Sequence, residues 1–502
     1  MAIGCHRECR GSCALRDRDA PERQPIDKAA LTGCDGRVLI SRRRDPDRLL
    51  PADPTLRSVA RELYALTANL PILSPHGHVP AALLLHDEPF ANATELFITH
   101  DHYVTRLLHA DGVGLAELGL GERIADPREV WRLLAERWHL FAGTATGYWI
   151  DEELSGVFGI EQPLCVETAD SVYDAVAAAL AEPDFRPRAL FDRFGIEVLA
   201  TTDDPLDDLA HHAALATSDL PGRVIPTFRP DAYINAAAPG FAEAAGKLLA
   251  ATGQPATLPG YLRGLEERRR YFIEHGATSA DHGVVHPMTA ALEPAEADRL
   301  FQAALSGAVD ARELDTLAAH LLWQMARMSV EDGLVMTIHA GVFRNHNSHT
   351  HARFGPDTGH DIPLPTSWVE GLRPLLESFG LEPGFQLGLF TVDESAFSRE
   401  LAPLAGFYPS VYVGAPWWFL DAPHAIDRFR SAVTETAGFY RTTGFIDDTR
   451  AFASIPARHD MSRRTDAAFL ARLVVEGRVH ADDARRIAVD LVGSQPRRVF
   501  KL

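Results

Sequence analysis

Short apolar runs that end in polar or reactive residues recur along this chain, with stretches of helical periodicity between them. The first run, 70–73, leads into His76-Gly77-His78. Four more are 196–200 into Thr201-Thr202-Asp203-Asp204, 223–227 into Phe228-Arg229-Pro230-Asp231, 277–280 into Asp281-His282-Gly283, and 334–338 into His339-Ala340-Gly341. The last three are 385–390 into Thr391-Val392-Asp393-Glu394, 411–414 into Ala415-Pro416-Trp417-Trp418, and 444–446 into Asp447-Asp448-Thr449-Arg450. Strand–helix alternation predicts a parallel sheet. Eight such units predict an α/β fold, a TIM-like (β/α)8 barrel whose active site gathers where the strands end. A doubly wound sheet is the alternative, but no Gly-x-Gly-x-x-Gly turn opens any of the helices.

The helical periodicity predicts a first helix over 53–69, with Asp53 as N-cap, Pro54 at the first position, and Val59, Leu63, Tyr64 and Leu66 near one face. Further helices are expected over 261–275 and 311–329. Between the first two strands, 81–190 reads as a mainly helical insertion, with helices over 91–108, 127–140 and 172–181. Residues 1–44 read as a charged, poorly ordered extension, and 45–502 as the barrel with its insertion.

Composition narrows the partners. The length of 502 residues and hydrophobic content of 46% suit one barrel with an insertion. A formal net charge of -20 argues against nucleic acid and against anionic membranes. A local arginine cluster can still hold a small acidic substrate. Cys5, Cys9, Cys13 and Cys34 crowd the N-terminal arm and only Cys165 lies in the body, which is no framework for a secreted disulfide-rich domain. The arm has no apolar core of a signal peptide, and no apolar stretch approaches the ~20 residues of a membrane span. A cytoplasmic, homo-oligomeric enzyme is expected.

Two histidines at i and i+2 on extended backbone face the same side. His76 and His78 can therefore reach one cation, and neutral imidazole suits zinc. In a chain with 22 histidines such a pair alone is weak evidence; its place after a buried strand gives it weight. Two imidazoles plus a carboxylate would leave the open positions a catalytic zinc needs. Arg229, Arg344 and Arg450, all after strand ends, imply an anionic substrate, because arginine grips carboxylates with paired, charge-assisted hydrogen bonds. Each residue also has a plain reading. Asp203 and Asp204 could cap a helix at Pro205, and Asp281 with His282 could be a buried structural pair. Trp417 and Trp418 could pack the barrel mouth, Arg344 could pair with Asp357, and Asp448 could pair with Arg450.

The blocks 70–78, Asp101-His102-Tyr103 with Arg106, Thr201-Thr202-Asp203-Asp204-Pro205, Arg229-Pro230-Asp231 and Ser279-Ala280-Asp281-His282-Gly283 occur in order. They continue with His339-Ala340-Gly341-Val342-Phe343-Arg344-Asn345, Gly355-Pro356-Asp357-Thr358-Gly359, Trp417-Trp418-Phe419-Leu420-Asp421 and Asp448-Thr449-Arg450. On these, the chain from about Asp47 onward resembles the uronate isomerase (glucuronate isomerase) family of the amidohydrolase superfamily. The resemblance implies a barrel that interconverts D-glucuronate with D-fructuronate and D-galacturonate with D-tagaturonate. It implies metal positions at His76, His78 and Asp448, and substrate or catalytic positions at His102, Tyr103, Arg229, Asp281, His339, Arg344, a tryptophan of the pair Trp417 and Trp418, and Arg450. A divalent metal, zinc by ligand type, is expected, and turnover without it is one of the alternatives. Tyr103, with His76 or His102, would assist ring opening, Asp448 would take the C2 proton, and Arg450 would steady the enediolate.

The chain departs from the family pattern at Gly77, where Cys is usual, at Thr449, where Ser is usual, at His346 within a run usually of asparagines, and around 143–149. These departures bear on substrate choice more than on reaction type. Two other functions compete: a metal-dependent hydrolase or decarboxylase of the same superfamily, and a non-catalytic sugar-acid binding protein. The first would want more imidazoles or a bridging lysine, and no lysine stands at these strand ends.

Overall fold

The computed structural model describes residues 30–32, 38–40, 45–121 and 125–502. Most of the extension expected over 1–44, with Cys5, Cys9, Cys13 and Cys34, lies outside the described residues. A short antiparallel pair joins Ala30–Thr32 to Val38–Ile40.

Seven of the eight predicted runs form barrel strands: β1 (Ile72–Ser74), β2 (Ile196–Ala200), β3 (Arg223–Ile225), β4 (Ser279–Val284), β5 (Val335–Ala340), β6 (Leu387–Thr391) and β7 (Val411–Val413). Adjacent strands pair parallel, as β1–β2–β3 and β4–β5–β6–β7. The seam between β3 and β4 is bridged where the Phe228 amide donates to the Ser279 carbonyl (3.2 Å) and the Asp281 amide to the Phe228 carbonyl (2.9 Å). Every residue of β5 and of β6 is buried, as strands covered on both faces must be.

The eighth run, expected over 444–446, is not a regular strand. Gly444 and Asp448 take left-handed backbone angles (φ +81° and +39°), which break an extended ladder. It is nonetheless tied into the barrel. The Thr443 amide donates to Val413 (3.0 Å) on one side, and the His78 amide donates to the Thr449 carbonyl (3.0 Å) on the other.

Helix α1 (Pro54–Thr67) begins as expected, with the Asp53 carboxylate accepting from the Thr55 and Leu56 amides at 2.9 Å. Ala60 and Leu63 are buried, but Leu66 is exposed, so the apolar stripe is narrower than the sequence suggested. Between β1 and β2 the described residues hold helices and turns only, around a separate core that includes Phe97, Leu108, Trp131, Leu134 and Val172. The single helix expected over 91–108 is broken. A π turn at Glu95–Thr99 ends near His100, and helix α2 (His102–Ala110) restarts with Asp101 as its cap, accepting from the Tyr103 amide at 2.8 Å. That restart sets His102 and Tyr103 on the first turn of α2, at the barrel mouth. Helix α3 (Ile455–Val475) follows the eighth segment and is buried among α1 and the helices Pro423–Ala437 and Ala481–Val492. No helix among the described residues is long and apolar enough to cross a membrane.

Candidate active site

The strand ends enclose a cavity of about 610 Å³, within the usual range for a small-molecule site. Its lining contains His78, His102, Tyr103, Arg229, His339, Arg344, Trp417, Trp418, Asp448 and Arg450. Of the metal, substrate and catalytic positions that the resemblance implies, His76 and Asp281 are not among the lining residues. Both are buried directly beneath it.

His76 and His78 turn their Nε2 atoms toward one oxygen of Asp448, at 3.4 and 3.0 Å. That Asp448 Oδ1 atom is buried and accepts no hydrogen bond of acceptable geometry. The three ligand atoms thus converge on a common point rather than bonding to each other, and they lie within 4.8 Å of one another. This donor set, two imidazoles and a carboxylate, fits a divalent metal of the zinc type. A second trio, His76, Asp281 and His339, meets the same distance condition and shares His76 with the first.

Charge is arranged to match. Burial disfavours the charged form of His76, but Asp281 and Asp448 outweigh it and raise its pKa. At His78 burial prevails and the imidazole favours its neutral, metal-binding form. Burial opposes ionisation of Asp448, yet the two imidazoles hold it well below the usual carboxylate range. Burial also favours neutral His102 and pushes the Tyr103 phenol far up, with Arg458 opposing.

Asp281, expected at a substrate position, is fully buried and is not among the residues lining the cavity. Its Oδ1 accepts from Thr337 Oγ1 (2.7 Å) and contacts His339 Nδ1 (2.6 Å). His339 is packed between two rings, His76 at 4.5 Å and Phe390 at 4.3 Å. Phe390 can lie there because Gly414 has no side chain: a Cβ at that position would fall 2.3 Å from Phe390 Cδ1. Asp281 and His282 are not a mutual pair, since His282 Nδ1 bonds instead to the Thr337 carbonyl at 2.8 Å.

The other plain readings separate as well. Asp448 does not pair with Arg450, which bonds Asp357 Oδ2 at 2.9 Å. Arg344 is nearer Asp361 (3.1 Å) than Asp357 (4.0 Å), and its guanidinium lies 4.5 Å over the Trp418 ring. Asp204 caps a turn rather than a helix, accepting from Leu206, while Asp203 accepts from Thr201 Oγ1 and the Thr227 amide. Trp417 and Trp418 are both buried with unpartnered indole N–H groups.

Backbone strain concentrates here. Among the described residues eight non-glycine residues have positive φ, and Asn345, Asp357, Trp418 and Asp448 all line this cavity. Such strain persists where surrounding structure over-determines it, as functional sites do.

Sequence reasoning missed Arg458. It is buried, bonds Asp421 Oδ2 at 2.8 Å, and spreads its guanidinium 3.6 Å over Trp149 and 5.4 Å over Tyr103. It sits in the first turn of α3, outside every motif read from the sequence, so local sequence carried no signal. Asp361 was missed too, although its place two residues after Gly359, in a recognised block, was available.

The family model for glucuronate isomerase matches residues 54–500. The chain belongs to the glucuronate isomerase family. A uronate isomerase of Corynebacterium efficiens is 52% identical over 461 residues, spanning 91% of this chain and 98% of that one. The solved glucuronate isomerase of Caulobacter crescentus is 46% identical, covers 91% of this chain and 96% of its own, and superposes with a TM-score of 0.89. A Thermotoga maritima uronate isomerase structure, 28% identical, covers 91% of this chain and 99% of its own at a TM-score of 0.86. Against this glucuronate isomerase frame, Gly77 is not forced by crowding. A Cβ there would meet Ala200 O, Asp447 Oδ1 and Ser74 Oγ at 3.5 Å, ordinary contact distances. Thr449 keeps a hydroxyl where Ser is usual, accepting from the Ala451 amide at 3.0 Å.

Proposed function

We propose that this member of the family is an aldose–ketose isomerase acting on D-glucuronate, D-galacturonate or both, by proton transfer through an enediol. The observation that carries the reading is the single cavity where Asp448, three arginines and a phenol–imidazole pair meet above a histidine-rich floor.

An aldose becomes a ketose when the C2 proton leaves and a proton returns to C1. Asp448 presents Oδ1 to the two imidazoles, which leaves its second oxygen for the proton at C2. A positioned base of this kind contributes typically ~10²–10⁴-fold. Arg450, on the same wall, meets the charge that develops on the enediolate oxygens. Arg229 and Arg344 hold the carboxylate and hydroxyls, so binding energy becomes orientation. Tyr103 and His102, stacked at 4.8 Å, would exchange protons with the ring oxygen and hydroxyls during ring opening. His339, fixed by Asp281, supports the C1 hydroxyl side.

His76, His78 and Asp448 would hold a divalent metal, zinc by ligand type. Such an ion would supply Lewis-acid polarisation at this site. A cytoplasmic location and a homo-oligomeric assembly belong to the same reading. Purified protein incubated with glucuronate and with galacturonate, with and without chelator, should yield ketose from at least one of them. No ketose from either hexuronate would overturn the proposal.

A further inference from the structure

The block Gly355-Pro356-Asp357-Thr358-Gly359 has no part in the chemistry above, yet its loop reaches two of the substrate arginines. Asp361 and Asp357 treat them differently. Asp361 is buried, accepts the Asn345 amide through Oδ1 at 2.6 Å and Arg344 Nη1 through Oδ2 at 3.1 Å. It is a fixed anchor. Asp357 is one-third exposed. It bonds Arg450 Nη2 through Oδ2 at 2.9 Å and stands 4.0 Å from Arg344 Nη1 through Oδ1. The Asp357–Arg450 pair also lines a second cavity of about 630 Å³, walled by Leu83, Phe90, Leu96 and Phe354, so it stands between two chambers.

A carboxylate placed between two guanidiniums has the geometry of a bound anion. We propose that Asp357 is an internal anion that occupies Arg450, and reaches toward Arg344, until the charged oxygens of the sugar acid replace it. It is a specificity-determining residue. This rests on the hexuronate reading of the site and deepens it. A tethered carboxylate competes at an effective concentration on the order of mM. A simple anion gains from Arg450 only what Asp357 already supplies, and is refused. A polyhydroxy acid adds hydrogen bonds from its hydroxyls to the remaining wall and wins the exchange. Burial alone would raise the Asp357 pKa, but Arg450 and Arg344 outweigh it, so the carboxylate stays charged and competent to compete.

The test is direct anion binding, read by tryptophan fluorescence, with malonate and with D-gluconate, a polyhydroxy acid that has no aldehyde to isomerise. Asp357→Asn removes the charge at nearly constant shape, and asparagine tolerates the left-handed backbone at this position (φ +60°). Malonate should bind Asp357→Asn at least tenfold more tightly than wild type, with a smaller gain for gluconate, so that the preference for gluconate shrinks. Asp357→Glu, which keeps the charge, should return malonate binding toward wild type. Unchanged or weaker malonate binding in Asp357→Asn would overturn the proposal, as would equal tightening in both variants. Turnover of hexuronates by the wild type is scored separately. Failure there counts against the isomerase reading, and failure of the malonate shift counts against Asp357.

Discussion

Asp281 Oδ1 lies 2.6 Å from His339 Nδ1, while its sequence neighbour His282 bonds the Thr337 carbonyl instead. The carboxylate comes from β4 and the imidazole from β5, adjacent parallel strands whose register sets Asp281 beside Thr337. The contact fixes which His339 nitrogen faces the cavity, so the imidazole is oriented before any ligand arrives.

Asp281→Asn therefore tests orientation rather than contact. It keeps the shape but lets His339 turn or change tautomer. Loss of such a supporting partner typically costs ~10–100-fold in activity or metal affinity. The expected pattern is a fall of that size in kcat with KM nearly unchanged, measured by steady-state ketose formation.

Gly414→Ala acts on the same imidazole from the other side. The added methyl would fall 2.3 Å from Phe390 Cδ1, and Phe390 stacks on His339. Overpacking of this kind costs about 1–3 kcal/mol. A lower melting temperature together with reduced kcat is expected. Full activity at unchanged stability would show that the Phe390–His339 stack does not set the imidazole position.

Asp203, beyond the end of β2, and His212, 3.8 Å away on the helix Ala210–Ala216, give a pH signature away from the cavity. Burial raises Asp203 to about 6, with bonds from Thr201 and Thr227 opposing. Burial lowers His212 to about 4. Between about pH 4 and 6 the folded state holds an extra proton on Asp203, so that residue makes stability fall as pH rises. Between about pH 4 and 6.5 the unfolded state holds an extra proton on His212, so that residue makes stability rise. At about 1.4 kcal/mol per pKa unit each contributes on the order of 3 kcal/mol, with opposite sign. The wild type should be nearly flat from these two groups. Asp203→Asn should unmask the histidine and show stability rising from pH 4 to 6.5, measured by denaturant titration at each pH.

Metal binding at the first trio should appear as stability. Zinc at 100 times its Kd should add ~2.7 kcal/mol to chelator-treated protein. In the His76→Ala, His78→Ala double variant the same zinc should add almost nothing. Equal stabilisation of both proteins would place the metal elsewhere.

Much of this site was legible in the sequence because strand ends converge in a barrel. Once the alternation was read, His76, His78, His339 and Arg450 had to meet. What was not legible depended on backbone geometry or on contacts across long separations. Asp101 is an ordinary helix cap, yet it breaks the expected helix over 91–108 and delivers His102 and Tyr103 to the mouth. The eighth segment reads as a strand, but left-handed turns at Gly444 and Asp448 replace its ladder. Asp281 reads as a substrate position or as a partner of His282, and only its contact with His339 on the neighbouring strand reveals what it holds. Arg458 carries no local pattern; its role follows from where α3 packs.

The central claim is proton transfer through Asp448, and solvent labelling tests it most directly. With D-glucuronate or D-galacturonate in deuterium oxide, the ketose should carry solvent deuterium at C1, and Asp448→Asn should form no ketose while remaining folded. Retention of the original C2 hydrogen at C1 in every product molecule, or substantial turnover by Asp448→Asn, would contradict the account.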